Sequence, residues 1–249
     1  MIKILFVPLL LLLMPGNTLA QEIAGQVSYK KELRLTNKPF EDLKETDPER
    51  YERFSSFTQQ IVEAQKQVDY TLTFRAGTSN YYAEDILGKE KGLVNKIQSI
   101  TGLFYTNVQN NNRFQELEVG GRSFIIQSKP TDWKITGETK MISGYMCRKA
   151  VATKTLTSSR PGKKLVRELV AWFAPEIPIP FGPEGYGGLP GLILEMTNNR
   201  DHYFATKIDI GKKDVEIRKP SKGDLVSQEE YQAIMAGLGG KFKSFHGIE

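Results

Sequence analysis

Beyond residue 20 the chain begins with alternation. In IAGQVSYKKELRL (23–35), Ile23, Gly25, Val27 and Tyr29 share one parity and Gln26, Ser28 and Lys30 the other, the period of a half-buried strand. The period then lengthens. Tyr51, Phe54, Phe57 or Thr58, Ile61 and Val62 recur at helical spacing, with Ser55, Gln59, Glu63 and Lys66 opposite them. Asp47 is placed to cap this segment, and Pro48 takes the first helical position, where its missing N–H costs nothing. The pattern predicts a helix over 48–66 lying on a sheet.

Strand signals dominate afterwards. VDYTLTFRAG (68–77) alternates Val68, Tyr70, Leu72 and Phe74, and SNYYAED repeats the signal more weakly. Between 84 and 101 the apolar residues fit helical spacing, but Gly88 and Gly92 interrupt them, so helix, lid and loop all stay open. LFYTNVQ, FQELEV and SFIIQ read as a meander joined by NNNR and GGR. DWKI, KMISGYMCRKAVATKT, KLVRELVAWFAP, GLILEMT, HYFATKIDI and DVEIRK continue the run. Ser227 and Glu230 form a capping box ahead of Tyr231, Ile234 and Met235, which predicts a short C-terminal helix with a frayed end.

Short consecutive strands with few helices between them pair antiparallel. The expected fold is therefore α+β. It is a single domain over 21–249, built on a curved, half-barrel-like, mostly antiparallel sheet of roughly eight to ten strands. One long helix from the N-terminal half packs on it.

The first 20 residues differ in kind. Lys3 precedes an apolar run from Ile4 to Met14, then Pro15 and Gly16, then Thr18-Leu19-Ala20. That run is shorter than the roughly 20 residues a bilayer span needs and has the order of a signal peptide cut after Ala20. The mature chain is expected to carry no transmembrane segment. The net charge of +5 is spread among acidic residues, as in RFQELEVGGR, which argues against a nucleic-acid partner. A single cysteine, Cys147, rules out an internal disulfide.

The segment EIPIPFGPEGYGGLPGLILEM concentrates prolines and glycines. Pro175, Pro178 and Pro180 cannot donate to a ladder, so residues 174–187 form a loop. A phosphate cradle needs glycines that open a helix. Here they precede Leu192-Ile193-Leu194, so a tight corner feeding a buried strand is the better reading. Leu192 and Leu194 should then share one face and Ile193 the other, with Gly191 against Trp172.

Gly188, Leu189, Pro190, Gly191, Leu192 and Ile193 form a hexapeptide that resembles the signature of the GLPGLI family of exported proteins. The resemblance extends to Trp133-Lys134-Ile135, Glu138-Thr139-Lys140, Gly144-Tyr145, Cys147 and Lys149-Ala150, and to Ala171-Trp172-Phe173 and Pro175-Glu176-Ile177-Pro178. Together these cover about residues 130–197 in order. The resemblance implies secretion in Gram-negative bacteria, and genes that often sit beside those of TonB-dependent outer-membrane receptors. It implies no catalytic residue. Gly185-Tyr186 departs from the bulkier aromatic-containing pair of many members.

Individual residues add little chemistry. Cys147 reads as a buried hydrophobe or as a soft-metal ligand, with Met146 or His202 as the remaining donors. Met146 falls on the opposite parity. Trp133, Trp172 and Phe173 read as core or as the lining of a concave face. Glu138, Lys140, Lys149, Glu176 and Glu195 read most simply as ion pairs. No recognisable catalytic motif is present, and no cofactor is expected. The expected function is that of a non-catalytic periplasmic or outer-membrane-associated accessory protein, working with an outer-membrane receptor through loop 174–187. The alternatives are a periplasmic carrier of an apolar ligand and soft-metal handling through Cys147.

Overall fold

The computed structural model describes residues 23–34, 41–85, 92–157, 164–212 and 214–245. The segment read as a signal peptide, residues 86–91 and His246 lie outside them. The alternating stretches become twelve strands of one sheet. The first half supplies β1 (Ala24–Leu33), β2 (Tyr70–Arg75), β3 (Thr78–Ala83), β4 (Leu103–Asn107), β5 (Asn112–Val119) and β6 (Arg122–Gln127). The second half supplies β7 (Lys134–Ile142), β8 (Tyr145–Thr157), β9 (Lys164–Ala174), β10 (Leu192–Asn198), β11 (Asp201–Ile210) and β12 (Asp224–Ser227). Their spatial order is β12-β6-β5-β4-β3-β2-β1-β11-β10-β9-β8-β7. All neighbours are antiparallel except β12 and β6, which run parallel. The helices are α1 (Glu41–Thr46), α2 (Pro48–Lys66), α3 (Leu93–Thr101) and α4 (Gln228–Phe245).

The α+β class holds, but the half-barrel does not. The sheet is open, with β7 and β12 as separate edges, and it carries several helices rather than one. The physical reason lies in what covers its apolar face. Ile177, Ile179 and Phe181 of the segment after β9 pack into one cluster with Val27, Tyr29, Tyr70, Leu72, Phe74, Leu192 and Leu194. The short 3-10 turn Pro183–Gly185 reaches β3, β4 and β5. A sheet covered by its own chain has no need to curl upon itself to bury apolar surface. A second cluster gathers Leu169, Ala171 and Phe173 with Tyr186, Leu189, Ile193, Met196 and Tyr203. A third packs Leu117, Phe124 and Ile126 under Tyr231 and Ile234 of α4.

α2 starts and stops where its sequence says. Asp47 Oδ1 accepts the Arg50 N–H at 3.0 Å, and Pro48 opens the helix. Its apolar face is less used than expected. Only Ala64 and Gln65 are buried, and Phe57 is 53% exposed. The ambiguous stretch yields α3 over its second half. α4 begins with the capping box, Ser227 N–H to Glu230 Oε2 at 2.7 Å and Glu230 N–H to Ser227 Oγ at 3.1 Å. It continues to Phe245, past the point where fraying was expected.

DVEIRK (214–219) is not a strand. The buried Asn80 side chain makes the bonds a neighbouring strand would make: its Nδ2 donates to the Arg218 carbonyl at 2.9 Å, and its Oδ1 accepts the Arg218 N–H at 2.7 Å.

Candidate functional site

Alternation along β8 and β9 places Ala150 and Ala152, and Leu169, Ala171 and Phe173, in one buried cluster. The next positions outward on the same parity are Lys154 and Arg167, which are direct register partners. Two cations thus stand opposite each other on the inward side of a hairpin. Arg113, on β5, joins them around one cavity. It is only 8% exposed. Burial pulls both Arg113 and Lys154 below their ordinary pKa values.

The cavity has a volume of about 410 Å³, and Lys31, Lys154, Arg167, Arg113, Glu184 and Tyr186 give it its chemistry. Its size is that of small-molecule sites. Glu184 sits in the 3-10 turn with φ 51° and ψ 35°, left-handed backbone that a non-glycine residue adopts only at a cost. Its carboxylate lies 3.4 Å from Lys31 Nζ, and Asp201 lies 3.2 Å from the same nitrogen. Lys31 is therefore held by two carboxylates. Burial alone would lower its pKa, but Glu184 and Asp201 hold it above the ordinary value. Burial raises the Asp201 pKa.

The other cations have no such partners. Among the described residues, no carboxylate forms an ion pair with Arg113, Lys154 or Arg167. The Arg167 Nε–H is buried without an acceptor, and the Asn198 Oδ1 is buried without a donor. A larger hollow of about 730 Å³ beside β3 and β5 differs in this respect. There Arg218 pairs with Glu116 at 3.4 Å, and Lys222 with Glu118 at 3.7 Å.

The GLPGLI segment forms part of the wall and the support. The Gly187 carbonyl accepts from Arg113 Nη2 at 3.2 Å and from Trp133 Nε1 at 3.1 Å. Gly188 has φ 87°, which glycine adopts freely. Leu189, Gly191, Leu192 and Ile193 are buried, while Gly188 and Pro190 are exposed. Leu192 and Leu194 pack in one cluster and Ile193 in the other, as alternation predicts. The neighbour of Gly191 is not Trp172. A Cβ there would overlap the Ala174 carbonyl oxygen, because the chain doubles back on the end of β9.

The remaining sequence candidates lie apart from the cavity lining. Cys147 is buried, and burial pushes its thiol up to about 11 against the pull of Lys140. Met146 points the other way and is 46% exposed. His202 Nε2 is 3.2 Å from Glu195 Oε1, without hydrogen-bond alignment. Among the described residues no group of three or more His, Cys, Asp or Glu could hold a metal ion. Tyr145 and Trp172 are half-buried beside the first cluster, and Glu176 is exposed. Glu138 pairs with Lys149 at 2.9 Å, and Lys140 with Glu195 at 2.8 Å, with Lys140 4.4 Å from the Trp172 ring centre.

Sequence reasoning missed Arg113, Lys154, Arg167, Glu184 and Asn198. For two of them a signal was present: Lys154 continues the parity of Ala150 and Ala152, and Arg167 that of Leu169 and Ala171. A charge on the inward parity of an apolar strand is a site signal.

A family model described as a protein of unknown function (Porph_ging) matches residues 161–195. That stretch contains Arg167, Glu184 and the Gly188–Ile193 hexapeptide. No curated protein matches the chain. Among solved structures, PNGF-II in the C2 space group superposes with a TM-score of 0.49 at 13% identity, over 86% of this chain and 33% of PNGF-II. PNGF-II in the P21 space group gives a TM-score of 0.49 at 14% identity, over 85% and 33%. The chain thus spans about a third of the length of the structures it matches. Among the described residues no helix is long and apolar enough to cross a membrane.

Proposed function

We propose that this is a non-catalytic binding protein of the cell envelope, accessory to an outer-membrane receptor, with the cavity beside the Pro183–Gly185 turn as its binding site. The supporting observation is the cavity itself, lined by the half-buried Lys154 and Arg167 and the buried Arg113, none of which forms an ion pair with a carboxylate among the described residues. Non-catalytic binding is favoured because Glu184 and Asp201, the acids beside it, are both engaged by Lys31. The export part rests on the N-terminal segment, and the receptor part on the GLPGLI resemblance.

Loop 174–187 suits a partner-facing surface less well, since Ile177, Ile179, Phe181 and Tyr186 turn inward. The apolar-carrier alternative drew on the half-barrel and loses that support, and the cavity's cations disfavour a lipid tail. Soft-metal handling needs a thiolate that burial opposes at Cys147.

Two measurements test the proposal. A tagged chain should fractionate with the periplasm or outer membrane, and affinity purification should recover an outer-membrane receptor. Retention in the cytoplasm, or recovery of no outer-membrane protein, counts against the envelope role. Native mass spectrometry of protein from its source should show a small polar adduct; a lipid adduct would restore the carrier reading.

A further inference from the structure

The binding reading leaves the ligand open, and the inference here rests on that reading. Lys154 and Arg167 are cross-strand register partners. Like charges directly opposite each other on a sheet destabilise it. Partial burial makes the repulsion worse, because solvent screens it less. Arg113 adds a third cation, almost wholly buried. Among the described residues no acid pairs directly with the group, although the charges of Glu184 and Glu229 reach Lys154. Glu184 is taken by Lys31, and Glu229 by Lys129 at 3.5 Å.

Two orphan atoms refine the picture. The Arg167 Nε–H lacks an acceptor, and the Asn198 Oδ1 lacks a donor. Asn198 is 7% exposed, and its Nδ2 is already spent on the Tyr186 hydroxyl at 3.3 Å. Buried polar groups without partners are costly. An oxyanion supplies the acceptor and the negative charge in one group. Gln65, Gln115 and Gln228 add amides to the lining, and Phe104 and Tyr186 add aromatic walls. A metal cation would be repelled, and an apolar molecule would strand the charges.

We infer that the cavity binds a small molecule through its oxyanion, carboxylate or phosphate, with Arg113, Lys154 and Arg167 as the anion-holding residues. Lys31 and Glu184 hold the wall and are not the anion's direct partners.

The test uses the mature chain and four probes at matched ionic strength: glucuronate, glucose 6-phosphate, inorganic phosphate and glucose. Calorimetry should show binding of glucuronate or glucose 6-phosphate, weakening as sodium chloride rises. Glucuronate and glucose 6-phosphate separate carboxylate from phosphate as the preferred head. Lys154→Gln and Arg167→Gln should each lose about tenfold or more in affinity. Without ligand, Lys154→Gln should melt at or above the wild-type temperature, because it removes a like-charge contact. That readout keeps a lost affinity distinct from a misfolded variant. Binding of inorganic phosphate as tight as that of glucose 6-phosphate would support the oxyanion as the recognised group. Equal binding of glucose would overturn the oxyanion inference while leaving a binding protein. If no probe binds, the inference falls; if Lys154→Gln also melts lower than wild type, the cavity as binding site falls with it.

Discussion

The Tyr29 hydroxyl donates to the Ile193 carbonyl at 2.6 Å, across 164 residues of sequence. Ile193 lies just ahead of the point where β10 starts to pair with β11, at Glu195, and its carbonyl takes the phenol as partner. Tyr29 is wholly buried. Tyr29→Phe should leave that carbonyl unpaired and destabilise by about 1–3 kcal/mol, with little change in fold. Urea unfolding followed by circular dichroism checks this; an unchanged midpoint would mean that water replaces the phenol without loss.

Gly191 tests the corner. A side chain there meets the Ala174 carbonyl and, at 3.0 Å, the Pro175 Cα. Both are backbone and cannot swing aside. Even Gly191→Ala should cost about 1–3 kcal/mol, and Gly191→Val more. Gly120→Ala, where a Cβ meets nothing within 4 Å but φ is 59°, isolates backbone strain from crowding. Melting temperatures should fall most for the Gly191 pair.

Much of this corner was legible in the chain. The prolines excluded a strand, and the apolar triplet announced a strand covered on both faces. The partner of Gly191 was not legible, because register between β9 and β10 contains a bulge that no local pattern encodes. α2 was readable to the residue from Asp47 and Pro48, whereas its half-exposed face was not: amphipathic spacing reports what a helix can bury, not what the fold offers it. β12 escaped for a similar reason, since its pairing partner β6 lies about a hundred residues earlier, joined to it by the Arg122–Asp224 contact at 3.3 Å. The cavity was the least legible feature. Lys154 and Arg167 become neighbours only when the hairpin register is known, and Arg113 arrives from another part of the sheet.

Acid stability should report Glu195. Burial alone would raise its pKa, but the Lys140 hydrogen bond and charge, with help from His202, hold it below the ordinary glutamate value. A carboxylate depressed in the folded state stabilises the fold above its unfolded pKa. That contribution disappears as pH falls through the lower folded value. Lys140→Gln should therefore reduce stability at neutral pH and shrink the loss seen on acidification below about pH 4.5. Parallel acid-limb slopes in wild type and variant would show that the pair carries no linkage.

Cys147 should be inert in the folded protein. Its thiol is buried and pushed up to about 11. Alkylation by iodoacetamide at pH 8 should proceed only as fast as the protein opens, and should become rapid in denaturant. Fast labelling of the native chain would expose an access path to the first core cluster.

The place of β1 sets the order in which the molecule can be assembled. β2 to β6 and β7 to β11 are meanders of sequence neighbours, each able to pair as soon as its residues are available. β1 is the seam between them, and one of its edges stays empty until Asp201–Ile210 has been synthesised. Contacts of such long range form late and slowly. For a chain exported as proposed above, that delay is useful: β1 can pair early with β2, but the sheet cannot be joined across β1 before β11 has followed.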